Sequence, residues 1–316
     1  MYQNNNDNSG APPLTWGNVA LAASLLLINV GISSFMKLGL ERPILVAGTR
    51  CFVQLTLLGL VLKRVFASNN PFIVLAISGV LGALAALEVS EWKSRRTVKG
   101  MFWISFCAIC GSSLTVSLIG ATFAMNFDPI LSASKFIPTM GMVYGNTMVG
   151  AALGMESVLA WVDSRRDTVE VMLCFGASRW EAVRPIVVEA ARTAMIPSIT
   201  AVSITGLISI PGMMSGQILG GADVMDAARY QQVIMFMIAA SVSMSVVTAS
   251  MAVAFIVVDS HPMLRTERIR TKGIVGNSNK GKPLSRSNTL EEPRSHGSFV
   301  RTKAWKATIV TGNQRF

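Results

Sequence analysis

The chain has 316 residues, of which 51% are hydrophobic and only 14% charged, with a mean hydropathy of +0.49. Soluble domains carry roughly 25% charged residues, so the composition excludes a soluble enzyme, a coiled coil and a disordered scaffold. The net charge of +11 does not signal nucleic-acid binding, because residues 259–316 hold twelve Lys/Arg against four Asp/Glu and account for most of it.

Residues 1–13 are polar and contain no Lys or Arg; they are expected to be disordered, and no cleavable signal peptide is expected. A helix crossing the hydrocarbon core needs about 20 largely apolar residues, and seven stretches of the region 14–258 qualify: 14–36, 44–62, 71–89, 101–125, 136–153, 193–212 and 232–258. Only helices fit, since lipid satisfies no backbone polar group. With the N-terminus outside, the inside loops 37–43, 90–100 and 154–192 carry two, four and five basic residues, while Lys63, Arg64, Lys135 and Arg229 fall outside. That bias predicts an all-α polytopic membrane protein of about seven spans, N-out and C-in. The basic tail 259–316 is expected to be a disordered cytoplasmic extension.

Residues 154–192 are too long for a simple loop. Met155, Val158, Leu159 and Val162 fall at i, i+3, i+4 and i+7, one face of a helix, and Val169, Met172 and Leu173 prolong the stripe to Gly176. Ser178 and Glu181 have capping-box spacing, and Pro185 limits the helix that follows to a couple of turns. The segment thus predicts a long amphipathic helix, a Gly turn and a short capped helix presenting Trp180. It either lies on the bilayer among membrane lipids or docks a cytosolic protein.

Glu170, Gly176 and Ile186 keep the spacing of the Glu-Ala-Ala…Gly…Ile-x-Leu-Pro loop of ABC-importer permeases, with Val171, Met172, Val188 and Glu189 departing from it. Further blocks are Arg50-x-x-x-Gln54-Leu55, Ile137-Pro138…Gly141-Met142…Gly145-Asn146-x-Met148, Gly176-Ala177-Ser178-x-Trp180-Glu181-Ala182, Pro211-Gly212-Met213-Met214-Ser215-Gly216-Gln217-Ile218-Leu219, and Ala228-Arg229-Tyr230-Gln231…Met235-Phe236. Through these the chain resembles the small bacterial permeases associated with iron export (Fet-type) and their plant relatives associated with aluminium tolerance. The resemblance implies an ABC transporter permease powered by a separate cytosolic ATPase subunit, with Glu170, Gly176, Ser178, Trp180, Glu181 and Ile186 coupling to it. ATP then resides on the partner, because the chain has no Gly-x-x-x-x-Gly-Lys-Ser/Thr loop. Two ATP sites closed between paired subunits further imply a homodimer.

Within the spans, Arg50 and Glu88 lie at similar depths and are expected to pair, as a structural neutralisation or as part of the transport path with Gln54. Cys107 and Cys110 read as packing, since a zinc site lacks its second half. Pro211, Gly212 and Gly216 break the chain around Met213 and Met214. Broken helices mark transporter substrate sites, so Met213 and Met214, with Gln217 beside them, form a weak soft-metal lip or else a tight re-entrant turn. Asn146 lines the same cavity or bonds a neighbouring backbone. Two other classes compete. A seven-helix receptor shares the topology but not the Asp-Arg-Tyr and Asn-Pro-x-x-Tyr motifs, and an ion-coupled carrier calls for more intramembrane carboxylates than Glu88.

Overall fold

Backbone polar groups in hydrocarbon are satisfied within one segment only by a helix, and among the described residues the regular structure of the computed structural model is helical apart from a two-residue antiparallel pairing, Arg96–Thr97 (β1) with Arg270–Thr271 (β2), and an isolated bridge between Thr205 and Ser209. It describes residues 15–68, 70–93, 96–126, 129, 131–258 and 270–271. The disorder expected of 1–13 and of nearly all of 259–316 falls outside them. Of the chain's two units, Met1–Pro283 and Leu284–Phe316, the second lies wholly outside the described residues.

Helices α1 (Trp16–Phe35) and α2 (Glu41–Ser68) form a hairpin. Ser33 closes its turn, donating to the Glu41 carboxylate at 2.9 Å and accepting from the Leu40 amide at 3.0 Å. α3 (Pro71–Glu88) begins with Asn70 accepting from the Phe72 amide and Pro71 at the first helical position, where a missing N–H costs nothing. It continues as a π-helical turn, Val89–Lys93, and α4 (Met101–Ile119) does the same over Gly120–Ala124. α5 (Ala133–Ser164) is followed by the short α6 (Arg166–Cys174), α7 (Arg179–Ile204), the short α8 (Gly212–Leu219) and α9 (Val224–Val257).

Six of these helices are long and apolar enough to cross a membrane: α1, α2, α3, α4, α7 and α9. The seventh expected stretch, 136–153, lies inside α5, whose 32 residues reach about 48 Å at 1.5 Å each but whose Gly, Thr and Asn lower its hydropathy. The reason is position. α5 packs against α3, α4, α7 and α9, and a helix shielded from lipid by its neighbours needs small residues that permit close approach more than it needs apolar bulk. Gly150 and Gly154, one turn apart, face α9 so closely that an added Cβ would sit 2.7 Å from Val242 Cγ1 and 2.8 Å from Ser250 Oγ respectively. The hairpin α1–α2 is different: its apolar stretches are almost entirely exposed, and it meets the remaining bundle only at the margin of α2.

Three sequence expectations are corrected. The stripe Met155, Val158, Leu159 and Val162 is not an amphipathic surface helix but the fully buried end of α5, and the chain breaks at Arg165 before α6. Pro185 does not end its helix, which runs 26 residues as α7. An interior proline costs ~3 kcal/mol, and each buried aliphatic side chain returns ~1.5–3 kcal/mol; Val183, Ile186 and Val187 are all at most 4% exposed, so burial wins. The spans expected at 193–212 and 232–258 shift to α7, which ends at Ile204, and to α9, which starts at Val224 because Asp223 caps it by accepting from the Met225 and Asp226 amides.

Candidate functional site

At one end of the bundle, where α5 ends and α9 ends, α6 and α7 form a protruding helical corner. α6 stops in a Schellman arrangement: the Gly176 amide donates to Leu173 O at 3.1 Å and the Ala177 amide to Met172 O at 3.0 Å. Gly176 has φ +87°, a conformation that favours glycine. α7 then starts at once. The Glu181 amide donates to Ser178 Oγ at 3.4 Å and the Ser178 amide to Glu181 Oε2 at 2.8 Å, completing the expected capping box. Helix stop and helix start thus occupy four residues, and the corner between them is fixed by backbone hydrogen bonds.

Val169 and Leu173 fasten α6 to the bundle, while Val171, Met172 and Phe175 are exposed, Phe175 by 88%. Arg166 donates to Glu170 at 2.7 Å, a bond that raises the guanidinium further above its ordinary pKa and leaves Glu170 on the solvent side of α6. Trp180 is less prominent than its sequence position implies. Its ring centroid lies 6.1 Å from that of Phe255 near the end of α9, and the Arg179 guanidinium sits 4.9 Å above the same Phe255 ring. Ile186 is buried and holds α7 in place. The side chain presented at the corner is Phe175, which sequence reasoning missed. The signal was present, since Phe175 falls out of phase with the Val169, Met172, Leu173 stripe directly before a glycine stop.

The expected ion pair is formed: Arg50 Nη2 lies 2.7 Å from Glu88 Oε2. Both residues line a cavity of about 820 Å³ between α2, α3 and α5, together with Gln54, Cys51, Glu91 and Met148. Leucines of α2 and α3 supply the remaining wall. Arg50, Gln54 and Glu88 are thus brought together, and Glu91 and Met148 join them from a helix turn and a partner helix that spacing alone does not connect.

The other expected path residues lie elsewhere. Asn146 donates to Met142 O at 2.9 Å and borders a separate cavity of about 100 Å³ with Gly150, Pro197 and Val242. Met213, Met214 and Gln217 are all on α8, and Gly216 does not break the chain but lies inside that helix; the interruptions are residues 205–211 and 220–223. The reason is that Pro211 caps the new helix and a single glycine costs only ~1 kcal/mol in a helix. Cys110 is buried with its sulfur over Gly82, whereas Cys107 is exposed, and both are free. Among the described residues no group of three or more His, Cys, Asp or Glu is placed to hold a metal ion.

The described helices and their order invite comparison with known proteins. The Escherichia coli (strain K12) "probable iron export permease protein FetB" is 31% identical over 237 residues, covering 75% of this chain and 89% of that protein. The Oryza sativa subsp. japonica "UPF0014 membrane protein STAR2" is 30% identical over 217 residues, 69% of this chain and 74% of that one. The Arabidopsis thaliana "protein ALUMINUM SENSITIVE 3" is 28% identical over 232 residues, 73% and 83% of the two chains. No solved structure matches. The profile described as "Uncharacterised protein family (UPF0014)" matches residues 16–257, from the first helix to the last, and the chain is accordingly a multi-pass integral membrane protein belonging to the UPF0014 family.

Proposed function

We propose that this chain is the permease subunit of an ABC transporter that exports a metal ion, driven by a separate cytosolic ATPase. The observation that carries the reading is the α6–α7 corner, a rigid turn that holds Val171, Met172 and Phe175 exposed. A pre-ordered apolar knob loses little entropy on docking, which suits a groove in a cytosolic partner. Counting α5 with α1, α2, α3, α4, α7 and α9 as seven crossings, that corner lies at the end richest in Lys and Arg, which supports a cytosolic corner and an external N-terminus.

Two ATPase subunits close their nucleotide sites against each other, so the working particle is a homodimer with two permeases and two ATPases. ATP stays on the partner, and this chain catalyses no reaction. The cavity holding Arg50, Gln54 and Glu88 lies on the transport path. Iron is the cargo named for the bacterial relative, and the plant relative's name also concerns a metal.

The test is purification in mild detergent and identification of what accompanies the chain. An ATPase in equal number with two permease copies is expected, with hydrolysis coupled to metal efflux in vesicles. A fully active particle with one permease copy, or transport indifferent to nucleotide, would overturn the reading. One observation favours an ion-coupled carrier instead: Glu91 adds a second carboxylate to the Glu88 cavity. Nucleotide-independent, proton-driven transport is what that alternative requires.

A further inference from the structure

Val143, Ala194, Ile234, Ile238, Val242 and Val246 form a buried cluster separate from the main core, and five methionines pack against it. Each comes from a different part of the chain: Met125 just after α4, Met142 on α5, Met195 on α7, Met213 on α8 and Met235 on α9. Convergence from five segments is not the stripe that a single amphipathic helix produces.

Two glutamines on α8 and α9 carry buried polar atoms without partners. Gln231 is 3% exposed, and neither its Oε1 nor its Nε2 has a hydrogen-bond partner. It shares a face of α9 with Ile234 and Ile238, at i, i+3 and i+7, and both isoleucines belong to the cluster. Gln217 stands one turn beyond Met213 on α8, and its Oε1 is likewise buried and unpartnered. Buried polar groups are normally hydrogen-bonded, so the orphaned Gln231 amide and the orphaned Gln217 carbonyl oxygen, beside a cluster that five thioethers pack against, point to something that they bind.

We infer that Met142, Met213 and Met235, with the carbonyl oxygens of Gln217 and Gln231, form a binding site for a soft monovalent metal ion of the copper(I) class. Thioethers are soft, neutral donors and select copper(I) over harder ions. Their neutrality also decides the charge. No cluster of His, Cys, Asp or Glu among the described residues could neutralise a divalent ion, and the penalty of a charge in a low-dielectric site grows with the square of that charge. Methionine's three rotatable bonds let the donors close around an ion without moving the helices. That the ion is cargo rests on the permease reading above; that it binds does not.

The test uses the full chain in nanodiscs, with its four free cysteines, Cys51, Cys107, Cys110 and Cys174, replaced by alanine so that thiols do not compete. Silver(I) serves as the redox-inert probe, and methionine methyl groups carry carbon-13. The expected result is one saturable silver ion per chain, with NMR shifts concentrated on the cluster methionines. Met142→Leu/Met213→Leu/Met235→Leu keeps volume nearly constant and should weaken binding at least tenfold; Gln231→Leu should weaken it severalfold. Absence of saturable binding, shifts confined to methionines outside the cluster, or unchanged affinity in the triple variant would each overturn the site. Because the labelled parent chain reports by itself, a variant that fails to fold does not rescue the proposal. Saturable binding that changes neither ATP hydrolysis nor efflux would remove the transport reading and leave the metal site standing.

Discussion

Removing the Phe175 ring is the sharpest perturbation of the docking corner. Because Phe175 is 88% exposed, almost all of its apolar surface remains available to a partner, and full burial of a phenylalanine stabilises by ~1.5–3 kcal/mol. At 1.4 kcal/mol per factor of ten, Phe175→Ala should weaken ATPase binding by roughly 10- to 150-fold. The fold should hardly respond, since substitutions of exposed side chains usually stay within ~0.5 kcal/mol. Phe175→Leu should retain most of the affinity. The assay is titration of the purified ATPase onto nanodisc-embedded chain by biolayer interferometry, with Phe35→Ala as a control, since Phe35 is 91% exposed but lies at the end of α1. Equal affinity for Phe175→Ala and the parent chain, or equal losses for the two alanine variants, would refute docking through the corner.

Trp180→Ala should weaken docking less than Phe175→Ala, because the Trp180 ring is already half-buried towards Phe255; the same titration ranks them. Ser178→Ala removes the side-chain cap of α7 and should cost about 1 kcal/mol, read as a lower melting temperature in nanodiscs with insertion intact. Gly150→Ala drives a Cβ to 2.7 Å from Val242 Cγ1; overpacking of about 1–3 kcal/mol outweighs about 1 kcal/mol of gained helix propensity, and pairing it with Val242→Ala should recover stability, so strictly additive losses would contradict the α5–α9 register. Glu88→Gln removes the carboxylate 2.7 Å from Arg50 and should destabilise by up to ~3 kcal/mol, the lower end for a buried pair because both side chains are a third exposed. Arg50→Met/Glu88→Leu should be close to neutral in the same melting assay.

What the sequence makes legible follows from how local each cause is. The capping box at Ser178 and Glu181 and the glycine stop at Gly176 are set by neighbours within four residues, and both form as their spacing predicts. The Arg50–Glu88 pair was readable because two antiparallel spans and the intolerance of lipid for lone charge leave few alternatives. Causes that act between distant helices are not readable in this way. Met155 to Val162 has the same periodicity whether its apolar face meets lipid or the bundle, and only the packing of α5 against α7 and α9 makes it core. Pro185 carries a local stop signal that tertiary burial overrides. Asn146, whose residue type allows it to line the Met213 cavity or to bond a neighbouring backbone, does the second, donating to Met142 O one turn back on α5.

The two kinds of packing in this molecule also indicate where it yields. α5 runs unbroken from the bond between Thr139 Oγ1 and Tyr230 Oη, 3.1 Å long near one end, to Ser164, just before α6 at the other. Along that length Gly150 and Gly154 set it against Val242, Val246 and Ser250 with no room for a methyl group. Close-packed helices transmit displacement because their interiors have low compressibility, so a push on α6 or on the first turn of α7 is shared by α5, α7 and α9 as one block. The α1–α2 hairpin has no comparable seam. It meets the block at the edge of α2 and through the Arg50–Glu88 pair, and the 820 Å³ cavity lies between the two. Separating a hairpin held by a partly exposed ion pair takes far less free energy than parting α5 from α9. On the permease reading proposed above, a push on the corner is expected to shift α2 against α3 at this cavity, where Arg50 stands on one wall and Glu88 on the other.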